Sequence, residues 1–343
     1  MRVVLVARGL GERGGAERSA RAFALAALEA GWILDAVLWD LGGAPRGVRV
    51  RPWPGRGWVR GALGKLAAGF AAGWGAPAGV ARVGWVRTPG CTLWRAADGC
   101  GAAGGSTGWA RAAWDLAEAR AVAGAGRIVA NSPMVAAQLA LAHPAHAGRI
   151  VVVPNGVDLA RFQPGGRGEA AGDLVFLGNG YRRKGLDLAL AALARVPRLR
   201  LHVAGAERRL GPWRDLAARL GVADRVRWRG PTTSPERLLP GARALLLPTR
   251  YDAYANVCLE ALACGVPVVT TATNGAASVL GGPALAVAPP RADALAEALE
   301  RVLQVSGDLA RSEAERFPSE ASAAALLRVV GESWDEESVR APR

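Results

Sequence analysis

The stretch "ALLLPTRYDAYANVCLEALACGVPVVTT", residues 244–271, decides the fold. It opens with an apolar run, ALLLPT, that reads as a strand buried on both faces. After the loop RYDAY comes ANVCLEALACG, whose apolar spacing is that of a helix ended by Gly265 and followed by Pro267. PVVTT is a second strand. Strand, helix and strand in so short a span make a βαβ unit, whose strands run parallel. Two acids, Asp252 and Glu260, stand eight positions apart in this core-like segment. They read either as capping or solvated groups or as holders of a polar ligand.

Outward from this stretch the same rhythm continues. LVFLG, LRLHVAG and RVRWRG read as strands, and GLDLALAALARVP, WRDLAARLG, SPERLLPGA and DALAEALERVLQ as helices. In the first half RVVLVA, ILDAVLW, RIVANS and RIVVVPNGV are strands. GGAERSARAFALAALEAG is a helix closed at Gly31, and SPMVAAQLALA a helix capped by Ser132 with Pro133 in its first turn. Strands alternating with helices imply parallel sheets covered on both faces. The expected class is α/β, with two doubly wound Rossmann-like domains facing across a cleft. The expected boundaries are 1–157 for an N-terminal acceptor domain, 158–173 for a Pro/Gly-rich linker and 174–310 for a nucleotide-sugar domain. Residues 311–343 are expected as a helical segment packing back towards the N-terminal domain. Ligands of open α/β sheets sit beyond the carboxyl ends of the strands, so the loops after strands are where chemistry is expected.

Composition bounds the partners. The 343 residues suffice for two cores, and 51% apolar with 21% charged residues is a globular balance. Arg and Lys number 43 against 29 acids, a formal charge of +14. Residues 1–155 hold 18 basic and 8 acidic groups, a net of +10. A basic first half predicts an anionic partner: a phosphorylated substrate, an acidic membrane surface or nucleic acid. Only Lys65 and Lys184 are lysine, so a lysine surviving in this arginine-rich chain invites attention. The four cysteines lack metal-ligand spacing and are expected as free thiols in a reducing cytoplasm. No long apolar run is free of charge and proline, so no spanning helix is expected. The Gly/Ala/Trp-rich segment 57–85 comes nearest and is a candidate for touching a membrane surface.

Three loops of the second half suit a nucleotide diphosphate. NGYRRKG, 179–185, follows a strand; Gly178, Gly180 and Gly185 permit close backbone approach, and Arg183 and Lys184 bring positive charge. Alone, it is equally a solvated basic turn. The turn Ala204-Gly205-Ala206 leaves room for a flat base, or is a plain tight turn. In the opening stretch, Ala255, Asn256 and Val257 would present free N–H groups and the positive end of a helix to an anion. Glu260 lies further along, on the face able to reach a ribose.

These segments, with VVVPNGVDLARFQP, resemble the retaining glycosyltransferases of family four, which have the GT-B fold, and among them the glucosyltransferases acting on lipopolysaccharide-core heptose. The resemblance implies that Asp252 contacts the donor sugar and Glu260 the ribose, and that Arg183, Lys184 and the backbone at 255–257 hold the diphosphate. Asp252 stands where the family has Glu, one methylene longer. GERGGAERSA resembles the family's first glycine-rich turn, with Gly14 and Gly15 approaching donor or acceptor beside Glu17 and Arg18. CTLWRAADGCGAAGG resembles the stretch placing a polar group near the reacting carbon, which makes Asp98 a candidate; Arg87 and Arg95 are candidates for acceptor phosphates. The implied reaction moves a hexose, UDP-linked by analogy, to a hydroxyl of an anionic envelope glycan or glycolipid. It proceeds with retention and without metal or other cofactor, at the cytoplasmic side of the membrane. Two rivals stay open: a nucleotide-sugar epimerase of the same architecture, and a basic nucleic-acid-binding protein, against which the dispersed basic residues speak.

Overall fold

The computed structural model describes residues 1–12, 14–53, 79–101, 108–166 and 168–340. The chain forms two compact units. Met1–Gly156 and Ser319–Arg343 make the first, and Val157–Pro318 the second.

In the first unit, β1 (Arg2–Ala7), β2 (Ile33–Leu38), β3 (Arg49–Pro52), β4 (Ala81–Gly84), β5 (Leu93–Ala96), β6 (Arg127–Ala130) and β7 (Ile150–Val152) form one sheet. Its order is β3-β2-β1-β4-β5-β6-β7, parallel throughout. The helices are α1 (Gly15–Glu29), α2 (Gly108–Gly124) and α3 (Pro133–Ala142). Gly31, at φ 74°, lets the chain turn out of α1, with the Trp32 N–H donating back to Ala27 O. Ser132 caps α3 by accepting from the Val135 N–H at 3.3 Å, with Pro133 in the first turn.

The second unit repeats the plan. Its strands are β8 (Leu174–Leu177), β9 (Leu201–Ala204), β10 (Val226–Gly230), β11 (Ala244–Leu247), β12 (Val268–Thr270) and β13 (Leu285–Val287). They pair in the order β10-β9-β8-β11-β12-β13, again all parallel. Its helices are α4 (Tyr181–Lys184), α5 (Leu186–Leu193), α6 (Gly211–Arg219), α7 (Pro235–Leu238), α8 (Asn256–Ala263), α9 (Ala292–Val302) and α10 (Gly307–Glu315). Strands β8, β9, β11 and β12 are apolar runs buried on both faces, as a sheet covered by helices requires. The last helix, α11 (Ser319–Arg340), returns to the first unit. There it packs on α1, with Leu326 and Val330 in one core with Phe23 and Ala24.

Two expectations change. Residues 158–173 are not a free linker. Phe162 is buried, Gly168 N–H and Glu169 N–H donate to Pro240 O and Arg237 O, and Gly172 N–H donates to Gly241 O, so the segment is stitched onto the second unit. The boundary near 310 moves to 318, because α10 packs on α8 and only α11 returns. Most of the segment 57–85, the candidate for a membrane surface, lies outside the described residues. Among the described residues no helix is long and apolar enough to cross a membrane.

Candidate functional site

In the second sheet β8 and β11 are neighbours, but β8 leads on to β9 at one side and β11 to β12 at the other. The loops leaving their carboxyl ends therefore stand at the switch point of the sheet, the usual ligand position of such a fold. The first is the glycine-rich basic loop and the second carries Asp252.

Each glycine of the first loop has its own reason. A Cβ on Gly178 would lie 3.0 Å from Cγ and Cε of Lys184, so its bareness makes room for the lysine stem. Gly180 is left-handed, φ 71°, where the chain enters α4. Gly185 is left-handed too, φ 79°, and a Cβ there would stand 1.9 Å from Pro248 O, so α4 and α5 meet the end of β11 backbone to backbone. Lys184 is thereby drawn in to 8% exposure. Its Nζ donates to Asp252 Oδ2 at 2.6 Å, and Arg183 Nη1 donates to the same oxygen at 3.0 Å. Arg183 Nη1 also donates to Tyr251 O at 3.0 Å, while its side chain stays half exposed. The other carboxylate oxygen, Oδ1, accepts from the Tyr254 N–H at 3.1 Å. Burial pushes the Asp252 carboxyl up, but Lys184 and Arg183 outweigh it and hold the group below the ordinary aspartate value.

The turn after β9 corrects an expectation. Gly205, φ 135°, does not clear space for a flat base: a Cβ there would lie 2.1 Å from Gly178 O, so the space holds the neighbouring loop. The two loops are tied together. Ala206 N–H donates to Asn179 Oδ1 at 2.7 Å, Tyr181 N–H to Glu207 Oε2 at 3.0 Å, and Tyr181 OH to Gly205 O at 3.0 Å. Burial, then the nearby Glu207, pushes the Tyr181 phenol up to about 12, so it stays a donor.

The start of α8 holds a second correction. Ala255 is the N-cap, and its N–H is not free: it donates to Asn274 Oδ1 at 3.1 Å. Asn256 and Val257 are the first helical residues. Asn274 is fully buried; its Oδ1 also accepts from the Ala276 N–H, and its Nδ2 donates to Thr270 and to the Cys258 sulfur. Asx chemistry two residues before Ala276 was the available signal. Glu260 is not a solvated helix position; it is 4% exposed. At the other end of α8, Arg311 donates to Ala263 O at 2.8 Å and to Phe162 O at 2.6 Å, and Gly265 meets Gly307.

The remaining candidates belong to the first unit. Gly14 caps α1 in an extended conformation, and a Cβ there would meet nothing, so neither turn nor packing asks for glycine. Gly15 begins α1, and Arg18 Nη1 donates back to Glu12 O. Asp98 is exposed in the turn after β5, next to left-handed Gly99. Arg87 and Arg95 are not open to an acceptor. Arg87 pairs with buried Glu118 at 2.8 Å, stacks 4.8 Å from the Trp114 ring centroid and donates to Gly99 O. Arg95 is buried, bonded to Val153 O and Asn155. Glu118, which the sequence reading missed, also accepts from the Gly101 N–H at 2.7 Å, so with Arg87 it anchors the chain just after Asp98. All four cysteines are free and buried.

Against known proteins, residues 171–305 match the family model for glycosyl transferases group 1, and residues 70–161 match that for Glycosyltransferase Family 4. The chain belongs to the group 1, family 4 glycosyltransferases. This glycosyltransferase is 38% identical over 185 residues to D-inositol 3-phosphate glycosyltransferase of Geodermatophilus obscurus, a match covering 47% of this chain and 41% of that protein. It is 35% identical over 242 residues to the protein of that name from Segniliparus rotundus, covering 62% and 53%. The chain spans about half the length of the curated relatives it matches. Among solved structures it is similar in fold to WaaG, a glycosyltransferase involved in lipopolysaccharide biosynthesis (TM-score 0.74, 22% identity, covering 97% and 98%). It is similar also to sucrose-phosphate synthase from Thermosynechococcus elongatus (TM-score 0.77, 19% identity, 99% and 100%). A third is Anabaena HepE in complex with UDP and glucose (TM-score 0.74, 17% identity, 96% and 99%). These likenesses place both units in the GT-B fold class.

Proposed function

We propose that this glycosyltransferase moves a hexose from a UDP-sugar to a hydroxyl of a phosphate-bearing acceptor, with retention and without a metal ion. The observation carrying this reading is the cluster of Lys184, Arg183 and Asp252 at the carboxyl ends of β8 and β11, beside the start of α8. When the bond from sugar to diphosphate breaks, negative charge grows on the diphosphate. Lys184 Nζ and Arg183 Nη1 supply positive charge there, with the N–H groups at Asn256 and Val257 as further donors. The buried Lys184 acts in a low dielectric, where its charge weighs more than in water. Glu260 is assigned to the ribose and Asp252 to a sugar hydroxyl. Gly14 and Gly15 are assigned to close approach of a ligand at the start of α1; at Gly14 neither φ nor packing requires glycine. Asp98, exposed on an anchored turn, is the candidate for meeting the acceptor hydroxyl or the positive charge at the reacting carbon.

The UDP assignment draws support from the HepE complexes, which hold UDP and UDP-glucose. A phosphate-bearing acceptor agrees with the net of +10 over residues 1–155 and with the D-inositol 3-phosphate of the relatives' name. An anionic envelope glycan presents the same chemistry, and the cytoplasmic face of a membrane is where the reading puts the enzyme. The test is a thermal-shift screen of the full chain against UDP-, GDP- and ADP-sugars, followed by transfer assays with inositol 3-phosphate and a phosphorylated heptose glycan. A ligand bound by the folded state raises the midpoint. We expect UDP-sugars to do so and Lys184→Ala to lower turnover by orders of magnitude. No response to any nucleotide sugar would overturn the reading.

A further inference from the structure

We propose that the Asp252 carboxylate is the protein's own substitute for the donor diphosphate: it holds Lys184 and Arg183 before the donor binds, yields them to the diphosphate, and retakes them to expel the nucleoside diphosphate after transfer. The inference rests on the reading of Lys184 and Arg183 as the diphosphate's cations and gives that site a mechanism of exchange.

Four observations carry it. Both cations converge on one oxygen, Asp252 Oδ2, at 2.6 and 3.0 Å, as they would on a phosphate oxygen. The carboxylate is fixed rather than carried on a loose loop. Its Oδ1 is held by the Tyr254 N–H, and the backbone is bonded on both sides, Asp252 N–H to Thr273 O and Gly275 N–H to Asp252 O. Lys184 is nearly buried, with its stem threaded past Gly178. A buried charge with no partner is costly, so a standing counter-ion offsets that cost at Lys184 until the donor arrives. Lastly, among the described residues Asp252 Oδ2 accepts from Lys184 and Arg183 alone, so a diphosphate can take them without another donor having to move.

Exchange has a thermodynamic consequence. A ligand that must displace an internal anion binds more weakly than its contacts alone would allow, by the factor that favours the internal pair. Weak product binding is useful to a transferase, since release often limits turnover. Once the cations pass to the diphosphate, Asp252 Oδ2 becomes free to accept from a donor hydroxyl, and it returns to Lys184 as the product leaves.

The experiment uses the full chain as wild type, Asp252→Asn and Asp252→Ser, the serine keeping an acceptor for the Tyr254 N–H. UDP affinity is measured by calorimetry, release by stopped flow and the UDP-induced rise in melting midpoint by thermal shift, with uridine as an uncharged control. Expected are UDP binding at least tenfold tighter in both variants, slower release, a larger UDP-induced rise and unchanged uridine affinity. The gain must depend on Lys184. Asp252→Asn added to Lys184→Ala should tighten UDP binding much less than it does in the wild-type background. Equal gains in both backgrounds would reduce Asp252 to long-range repulsion and overturn the exchange, as would unchanged or weaker UDP binding in either single variant. Failure of the wild type to bind UDP would instead sink the diphosphate reading itself.

Discussion

The stem of Lys184 passes Gly178 so closely that a methyl group there would lie 3.0 Å from two of its carbons. Nothing about the backbone of Gly178 forbids alanine, since its φ is not positive, so the clash falls on the lysine alone. Gly178→Ala is therefore expected to push Nζ off its 2.6 Å contact with Asp252. Turnover should fall at least tenfold, while the melting midpoint moves by only a few degrees; steady-state kinetics beside a thermal melt checks this. Gly185 and Gly205 are different, because the atoms in the way are backbone. Sequence marked the loop's glycines and its two cations as one group, because glycine permits close backbone approach and lysine is rare in this chain. The geometry behind them was not legible: glycines read as making room for a ligand turn out, at 178 and 205, to make room for a side chain and a carbonyl.

Helix α8 is held at both ends. Asn274 binds its entry through the Ala255 N–H, and Arg311 its exit through Ala263 O. Because Asn274 is fully buried and satisfies four partners, Asn274→Ala leaves two N–H groups without their acceptor. The expected loss is about 2–3 kcal/mol in denaturant unfolding, at the level of buried polar groups deprived of partners, with weaker UDP binding by calorimetry. In the first unit the Arg87–Glu118 pair plays the corresponding part for the turn of Asp98. Glu118→Ala strands a nearly buried guanidinium, and breaking such a pair costs about 3–5 kcal/mol; urea unfolding followed by tryptophan fluorescence reads it. The element pattern was legible wherever apolar runs are unbroken, as in β8, β9 and β11. It faded from β3 to α2, where arginine, glycine and tryptophan interrupt the apolar runs. Arg87 and Arg95 were misjudged because sequence shows charge but not burial, and an arginine flanked by tryptophans packs as readily as it binds.

For the molecule as a whole, acidity acts first through His202, on the strand β9. Its Nε2–H donates to Asp173 at 3.0 Å, and Arg229 Nε donates to Nδ1 at 3.1 Å, which fixes the ring as neutral. Burial lowers its pKa, with Arg229 and Arg227 adding and Asp173 opposing. The unfolded chain takes this proton near the ordinary histidine value of about 6.5, the folded chain only below it. The contribution to stability is therefore complete above that value and is lost as pH falls through the folded pKa. Urea midpoints should drop between pH 7 and 5, and His202→Phe should flatten that part of the profile. Asp252, also held low, contributes stability that is complete above the usual aspartate range and is lost as pH falls below it. The doubly wound plan of both units was legible from alternation alone, whereas the course of 158–173 was not, because proline and glycine announce a break in regular structure without saying what the backbone bonds to. That course has one more consequence. The second unit is a single uninterrupted insertion whose two ends already meet, Val157 N–H donating to Phe317 O at 2.9 Å. Nature or an engineer can thus swap residues 157–318 as one cassette while cutting the host at a single place in space.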